Sequence, residues 1–201
     1  ASNAKNLSRY SSESLGFKFP IRTHIQKALA WLDANGNRGI CALDTGMGKT
    51  ATSIASMQNL RKKGLSDTGN GRFLYVCTQD LIGNLPKEIY KFLPRVEAEE
   101  LLSRVDVITY HKFLRLRKKD SSFGDSYVAI YFDEAHLRFK KKESSYYQAA
   151  TECRCPRKIL LSASPMVNSP MEVFTMASVA NGLNLNSPEG RREEKQFRDR
   201  F

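Results

Sequence analysis

The chain has 201 residues, 41% of them hydrophobic and 26% charged, which suits one soluble α/β-sized domain with a sizeable core. No apolar run approaches the ~20 residues that a bilayer span needs, and no secretory signal opens the chain. Lys and Arg number 32 against 21 Asp and Glu, a net charge of +11. Clusters at Arg61–Lys63, Arg115–Lys119, Arg138–Lys142 and Arg154–Lys158 point to a polyanionic partner, most simply a nucleic-acid backbone.

Ser2-Asn3-Ala4, with no initiator Met, reads as an expression scar and is left out of fold reasoning. Thr23–Ala34 is the first helical stretch. The apolar run Gly39-Ile-Cys-Ala-Leu43 then predicts a buried strand over Ile40–Leu43. Lys49–Lys63 reads as a helix, without Gly or Pro and with Ala51, Ile54 and Ala55 at helical spacing. After a loop at Gly64–Gly71 come a strand at Phe73–Thr78 and a Pro86-interrupted helical stretch from Gln79 to Phe92. A strand at Val105–Thr109, a helix at His111–Lys119 and a loop at Lys119–Ser126 follow. The last elements are a strand at Val128–Phe132, a helix at Ser145–Glu152, a strand at Ile159–Ala163 and a loop at Pro188–Glu193. This alternation predicts an α/β fold with a mostly parallel sheet and helices on both faces. Cys41 and Cys77 fall in predicted strands, where cysteine behaves as a small hydrophobe. Cys153-Arg-Cys155 lacks a second pair at finger spacing, and His24, His111 and His136 are scattered. The reading is no zinc site and a reducing compartment, cytoplasmic or nuclear.

Two stretches carry chemistry. In Asp44-Thr-Gly-Met-Gly-Lys-Thr50 the glycines let the backbone turn so that successive N–H groups face phosphate oxygens. Lys49 would reach the β- and γ-phosphates, the Thr50 hydroxyl would ligate magnesium, and the following helix would aim its positive end at the triphosphate. Downstream, Tyr127-Val-Ala-Ile-Tyr-Phe132 ends directly in Asp133-Glu134-Ala-His136, two adjacent carboxylates at a strand end. Asp133 would hold the magnesium and Glu134 would polarise the attacking water. In this order the pair reads as an ATP-hydrolysing site, with Glu134, Asp133 and Lys49 as its catalytic residues.

The ordered set resembles the first RecA-like lobe of a superfamily-two helicase, and most of all the Swi/Snf-type double-stranded-DNA translocases. Besides the phosphate loop and the acidic box, Leu160-Leu-Ser-Ala-Ser-Pro-Met-Val-Asn168 resembles the family's third motif. Leu74-Tyr-Val-Cys-Thr-Gln-Asp-Leu-Ile-Gly-Asn84 with Lys87-Glu88, and Val107-Ile-Thr-Tyr110, resemble two further shared segments. The likeness covers 17–201, leaving 1–16 as scar and N-terminal extension. It implies a RecA-like P-loop NTPase domain that binds ATP and Mg2+ through Thr45, Gly46, Met47, Gly48, Lys49, Thr50 and Ala51, with Arg22 and Gln26 near the base. The metal would sit on Thr50 and Asp133. His136, Ser162 and Ser164 would couple the nucleotide site to the strand-binding face. Thr78, Gln79, Asn84, Thr109 and Tyr110 would lie near a nucleic-acid backbone, expected to be double-stranded DNA.

The sequence departs from the family pattern in three places. The phosphate loop has Leu43 where the strict pattern has Gly. Arg22-Thr-His24 is followed by Ile25 before Gln26, so that either Gln26 slips into the adenine pocket or Ile25 holds that position. Phe139-Lys140 replaces the Lys-Asn pair that follows the acidic box. The family's second lobe, which supplies an arginine finger, is not recognised, and Arg198 and Arg200 sit in a tail like the end of lobe one. The expectation is a motor lobe nearly inactive in isolation. The alternatives are the motor of a restriction-type or viral transcription complex, or a binding module with a degenerate site.

Overall fold

The computed structural model describes residues 7–43, 46, 48–163 and 169–200. Its five strands are β1 (Gly39–Ala42), β2 (Phe73–Cys77), β3 (Val105–Thr109), β4 (Ala129–Phe132) and β5 (Lys158–Ser162). They form one sheet in the order β1-β5-β4-β2-β3, with every neighbouring pair parallel. Strands buried on both faces must be apolar throughout, and every residue of β2, β4 and β5 is buried. Their side chains alternate: Phe73, Tyr75, Ala129, Tyr131 and Ile159 face one core, and Leu74, Val76, Ile130, Phe132 and Leu160 the other.

Each core is closed by helices. On the first face lie α1 (Ser12–Leu15), α2 (Thr23–Ala34), α3 (Lys49–Lys62), α4 (Asn84–Phe92) and α5 (Arg95–Leu102). On the second lie α6 (Tyr110–Lys119), α7 (Ser145–Glu152) and α8 (Pro170–Asn181), and α9 (Pro188–Arg198) follows. The chain steps outward to β3 with helices on one face, then returns through β4 and β5 with helices on the other. That reversal brings the carboxyl ends of β1, β4 and β5 together, where α/β proteins bind ligands. No helix among the described residues is long and apolar enough to cross a membrane.

α3 is buried all round from Ala51 to Leu60, so its polar residues need internal partners. They have them. The Ser56 hydroxyl meets the Tyr131 hydroxyl at 2.8 Å, Gln58 Nε2 donates to the Leu15 carbonyl at 3.0 Å, and Asn59 Nδ2 donates to Asp33 Oδ1 at 3.1 Å. Asp33 also accepts from the Tyr10 hydroxyl at 2.6 Å, from Asn37 Nδ2, and from the Lys63 ammonium at 2.6 Å. Burial opposes its charge, but these donors hold the carboxyl below the usual carboxylate range. Tyr10 and Leu15 are themselves buried against α2 and α3, so packing begins ahead of Phe17.

Four helices differ from the sequence reading. Pro188–Glu193, expected as a loop, starts α9: Ser187 caps it, accepting from the Gly190 N–H at 3.0 Å, and Pro188 stands in the first turn, where no N–H is needed. Gly190 is required there, because a Cβ would stand 2.0 Å from the Asn184 carbonyl oxygen. Pro86 does not interrupt its helix, since it too falls in the first turn of α4. α5 and α8 were not foreseen.

Candidate active site

β1 delivers the chain to the phosphate loop, and of that loop Gly46 and Gly48 are described, at φ of 82° and 89°. These left-handed conformations suit glycine. Gly48 is the N-cap of α3 and has no side chain to satisfy the helix's first N–H groups. Those donors, the helix dipole and the Lys49 ammonium converge on one cavity of about 610 Å³. Thr50 and Ala51 line the same cavity, while Thr45 and Met47 lie outside the described residues.

β4 delivers Asp133 and Glu134. The Asp133 N–H continues the sheet pairing to the Val76 carbonyl at 2.8 Å, and its Oδ1 accepts from the Glu134 N–H at 2.9 Å. Burial raises the Asp133 carboxyl above the usual carboxylate range, against the pull of Lys49 and a hydrogen bond from Tyr75. Among the described residues no cation stands within ion-pair distance of it. A buried carboxylate with no cation at ion-pair distance is a hard-oxygen donor of the kind magnesium takes. Glu134 adopts φ 48°, a conformation side chains rarely take, and one that marks functional turns when the surroundings enforce it.

The Glu134 carboxylate joins three motifs. It is ion-paired with Lys49 on one oxygen, while its other oxygen lies 3.3 Å from His136 Nε2. His136 Nδ1 in turn meets the Ser162 hydroxyl at 3.0 Å, at the end of β5. Burial lowers the His136 pKa, against the pull of Glu134, so the ring is neutral near pH 7. The Ser162 hydroxyl can donate to Nδ1 or accept from it, according to the ring's tautomer. Lys49, Glu134, His136 and Ser162 thus form one continuous line. Ser164 lies outside the described residues.

The other expected contacts divide. Thr78 and Gln79 follow β2, and Thr109 ends β3 beside it, where its Oγ1 caps α6 by accepting from the Lys112 N–H at 3.1 Å. Asn84 instead lines the cavity beside the phosphate loop. Tyr110 is buried, and its hydroxyl donates to the Asp133 main-chain carbonyl. Arg22 lines the cavity, as does Ile25, whereas Gln26 Nε2 donates to the Tyr10 carbonyl at 3.3 Å. Sequence reasoning missed Glu88 and Lys91, which line the cavity with Asn84 at the helical spacing 84, 88, 91. It also missed the anchoring of Asp133 by Tyr75 and Tyr110, for which the sequence carries no local signal.

Much of the basic charge is committed inside the fold. Arg61 pairs with Glu100, Lys63 with Asp33 and Lys142 with Glu194. Arg138 stacks over Tyr110 and Tyr146, and Arg117 and Lys158 are buried among carbonyls. Exposed residues such as Lys62, Lys118, Lys119, Lys141 and Arg154 carry the outward charge.

Comparison with known proteins agrees with this geometry. Residues 20–167 match the family described as type III restriction enzyme, res subunit. The chain belongs to that family. Within it this lobe is of the superfamily-two, Swi/Snf type, as its relatives show. The chromatin remodeling 25 protein of Arabidopsis thaliana is 29% identical over 174 residues, covering 76% of this chain and 19% of that protein. The DNA repair and recombination protein RAD54 of rice is 31% identical over 164 residues, covering 71% of this chain and 16% of that one. The chain therefore spans under a fifth of the length of these two relatives. The fold is that of the Sulfolobus solfataricus SWI2/SNF2 ATPase core in complex with dsDNA, with a TM-score of 0.71 at 21% identity, over 92% of this chain and 40% of that one. The RecA-like fold expected from the sequence is thus present.

Proposed function

We propose that this lobe binds magnesium-ATP between its phosphate loop and acidic box, and is half of a motor that couples ATP hydrolysis to movement along double-stranded DNA. The observation that carries the reading is the Lys49–Glu134 pair, which ties the two motifs into one site. Lys49 and the free N–H groups of α3 hold the triphosphate, and Asp133 with Thr50 holds magnesium, which when bound neutralises phosphate charge. Glu134 orients the attacking water and takes its proton. His136 hands the state of Glu134 to Ser162, and so to the segment after β5.

The DNA face is assigned to the carboxyl ends of β2 and β3, with Thr78, Gln79 and Thr109, and to the exposed basic residues. A relative named for DNA repair and a structural neighbour bound to dsDNA support that choice. A second RecA-like lobe would face Lys49 and Glu134 and complete the site. Relatives named for chromatin remodelling and DNA repair support a nuclear or other intracellular setting.

Calorimetric titration of magnesium-ATP against the parent and Lys49→Ala tests the reading. Removing the only side-chain cation of the described phosphate loop should weaken affinity by an order of magnitude or more, at about 1.4 kcal/mol per tenfold. Equal affinities would take Gly46–Thr50 out of the site.

A further inference from the structure

The cavity beside the phosphate loop has two unlike halves. One gathers phosphate donors from Gly46, Gly48, Lys49 and Thr50. The other is a wall of Phe17, Phe19, Pro20, Ile21, Ile25 and Phe92. The Phe17 and Phe92 rings pack at 5.8 Å, and the Lys18 N–H donates to the Phe92 carbonyl at 2.8 Å, clamping this segment to the end of α4. A triphosphate seated on Lys49 would place its nucleoside against that wall.

What the wall lacks is a buried polar group. Of the polar side chains that line the cavity away from the phosphate loop, Arg22, Asn84 and Lys91 are exposed and Glu88 is half-buried. The carboxamide of this segment, Gln26, is turned away and bonded to the Tyr10 carbonyl. Ile25, 5% exposed, faces the cavity in its stead. Sites that hydrogen-bond a substrate in a buried setting reject its analogues by about 10⁴–10⁵, whereas apolar pockets discriminate by only about 10–200-fold. Stacking on an aromatic face is worth about 1–3 kcal/mol per base and tolerates every base, since each has a π-face.

We propose that this site recognises the triphosphate and stacks the base without reading its edge, so that its substrate class is nucleoside triphosphates in general. The proposal rests on the nucleotide-site reading above, and its test separates the two. Magnesium complexes of ATP, GTP, CTP, UTP and inorganic tripolyphosphate are titrated against residues 1–201. The four nucleotides should bind within about tenfold of one another, and tripolyphosphate about 5–140-fold more weakly for want of stacking. ATP binding at least 100-fold tighter than GTP overturns the proposal while leaving the nucleotide site intact. Tripolyphosphate binding as tightly as ATP also overturns it, by showing that no base is seated on the wall. Binding of none of the five overturns the nucleotide site and the proposal with it.

A second arm places an amide at the wall. Ile25→Gln offers a donor and an acceptor that match the adenine N6 and N7 edge. The ATP-to-GTP affinity ratio should rise several-fold in a variant whose melting curve stays cooperative. An unchanged ratio in such a variant means that position 25 does not face the base, and defeats the proposal. If the variant does not fold, the nucleotide panel on the parent decides alone.

Discussion

Glu134 occupies the Lys49 ammonium in this structure, so a nucleotide phosphate that draws Lys49 to itself competes with their ion pair. The two side chains are 16% and 22% exposed, an intermediate burial. Fully exposed pairs are worth about 0.2–1 kcal/mol and breaking a buried one costs about 3–5, so roughly 1 kcal/mol is the figure once solvent screening is counted. Glu134→Gln keeps the shape but removes the charge. It should therefore tighten magnesium-ATP binding by about fivefold while abolishing turnover in a two-lobed protein. The nucleotide-free variant should lose a matching ~1 kcal/mol of stability, or about 2–4 °C in melting temperature for a chain of this size. The two numbers are linked, because both report the same broken pair. Calorimetric titration with a non-hydrolysable ATP analogue and thermal melts of the apo proteins measure them. A variant that loses stability yet binds no more tightly would refute the competition, as would turnover within a few-fold of the parent for the role of Glu134.

Three further outcomes are expected. Tyr110→Phe leaves the buried Asp133 carbonyl short of a donor, which should cost about 1–3 kcal/mol of stability without changing DNA affinity; DNA affinity lost at unchanged melting temperature would return Tyr110 to the nucleic-acid face. Lys158 is buried, donates to the Ala150 and Cys153 carbonyls, and burial lowers its pKa from 10.5 to about 8. Between those two values the unfolded chain holds a proton that the folded one releases, so the parent should gain stability relative to Lys158→Met as pH rises through that window; parallel pH profiles of denaturant midpoints would exclude this. Arg22, the one arginine among the described residues lining the cavity, stands away from the phosphate loop, and a well-placed arginine finger is worth about 10³–10⁵ in rate. Residues 1–201 should accordingly bind nucleotide but release phosphate negligibly, and robust DNA-stimulated turnover would contradict the split-site reading.

The sheet was legible because a parallel strand buried on both faces has to be an unbroken apolar run, and Phe73–Cys77 and Ala129–Phe132 are such runs. The helices after the last strand were obscured by Ser-Pro pairs that look like breakers. At Ser169-Pro170 and Ser187-Pro188 the serine is in fact the cap and the proline the first turn. In the site, the phosphate loop and acidic box announce themselves through local spacing. Tertiary roles do not. Tyr110 reads as a surface residue at a strand end until the fold carries it under Asp133, and a basic run such as Arg138–Lys142 does not reveal that Arg138 packs over two tyrosine rings.

The family likeness starts at residue 20, but the folded unit does not. Tyr10 and Leu15 pack against α2 and α3, and Tyr10 supplies one of the donors that keep Asp33 ionised beside α3. Gln58 in α3 spends its amide on the Leu15 carbonyl. A boundary drawn by resemblance would thus open a hole in the cluster that packs α2 against α3, exposing two large side-chain footprints worth about 1.5–3 kcal/mol each and orphaning buried donors in α3. What looks in alignment like a leader is, in packing terms, the clamp that holds α3 against its neighbour.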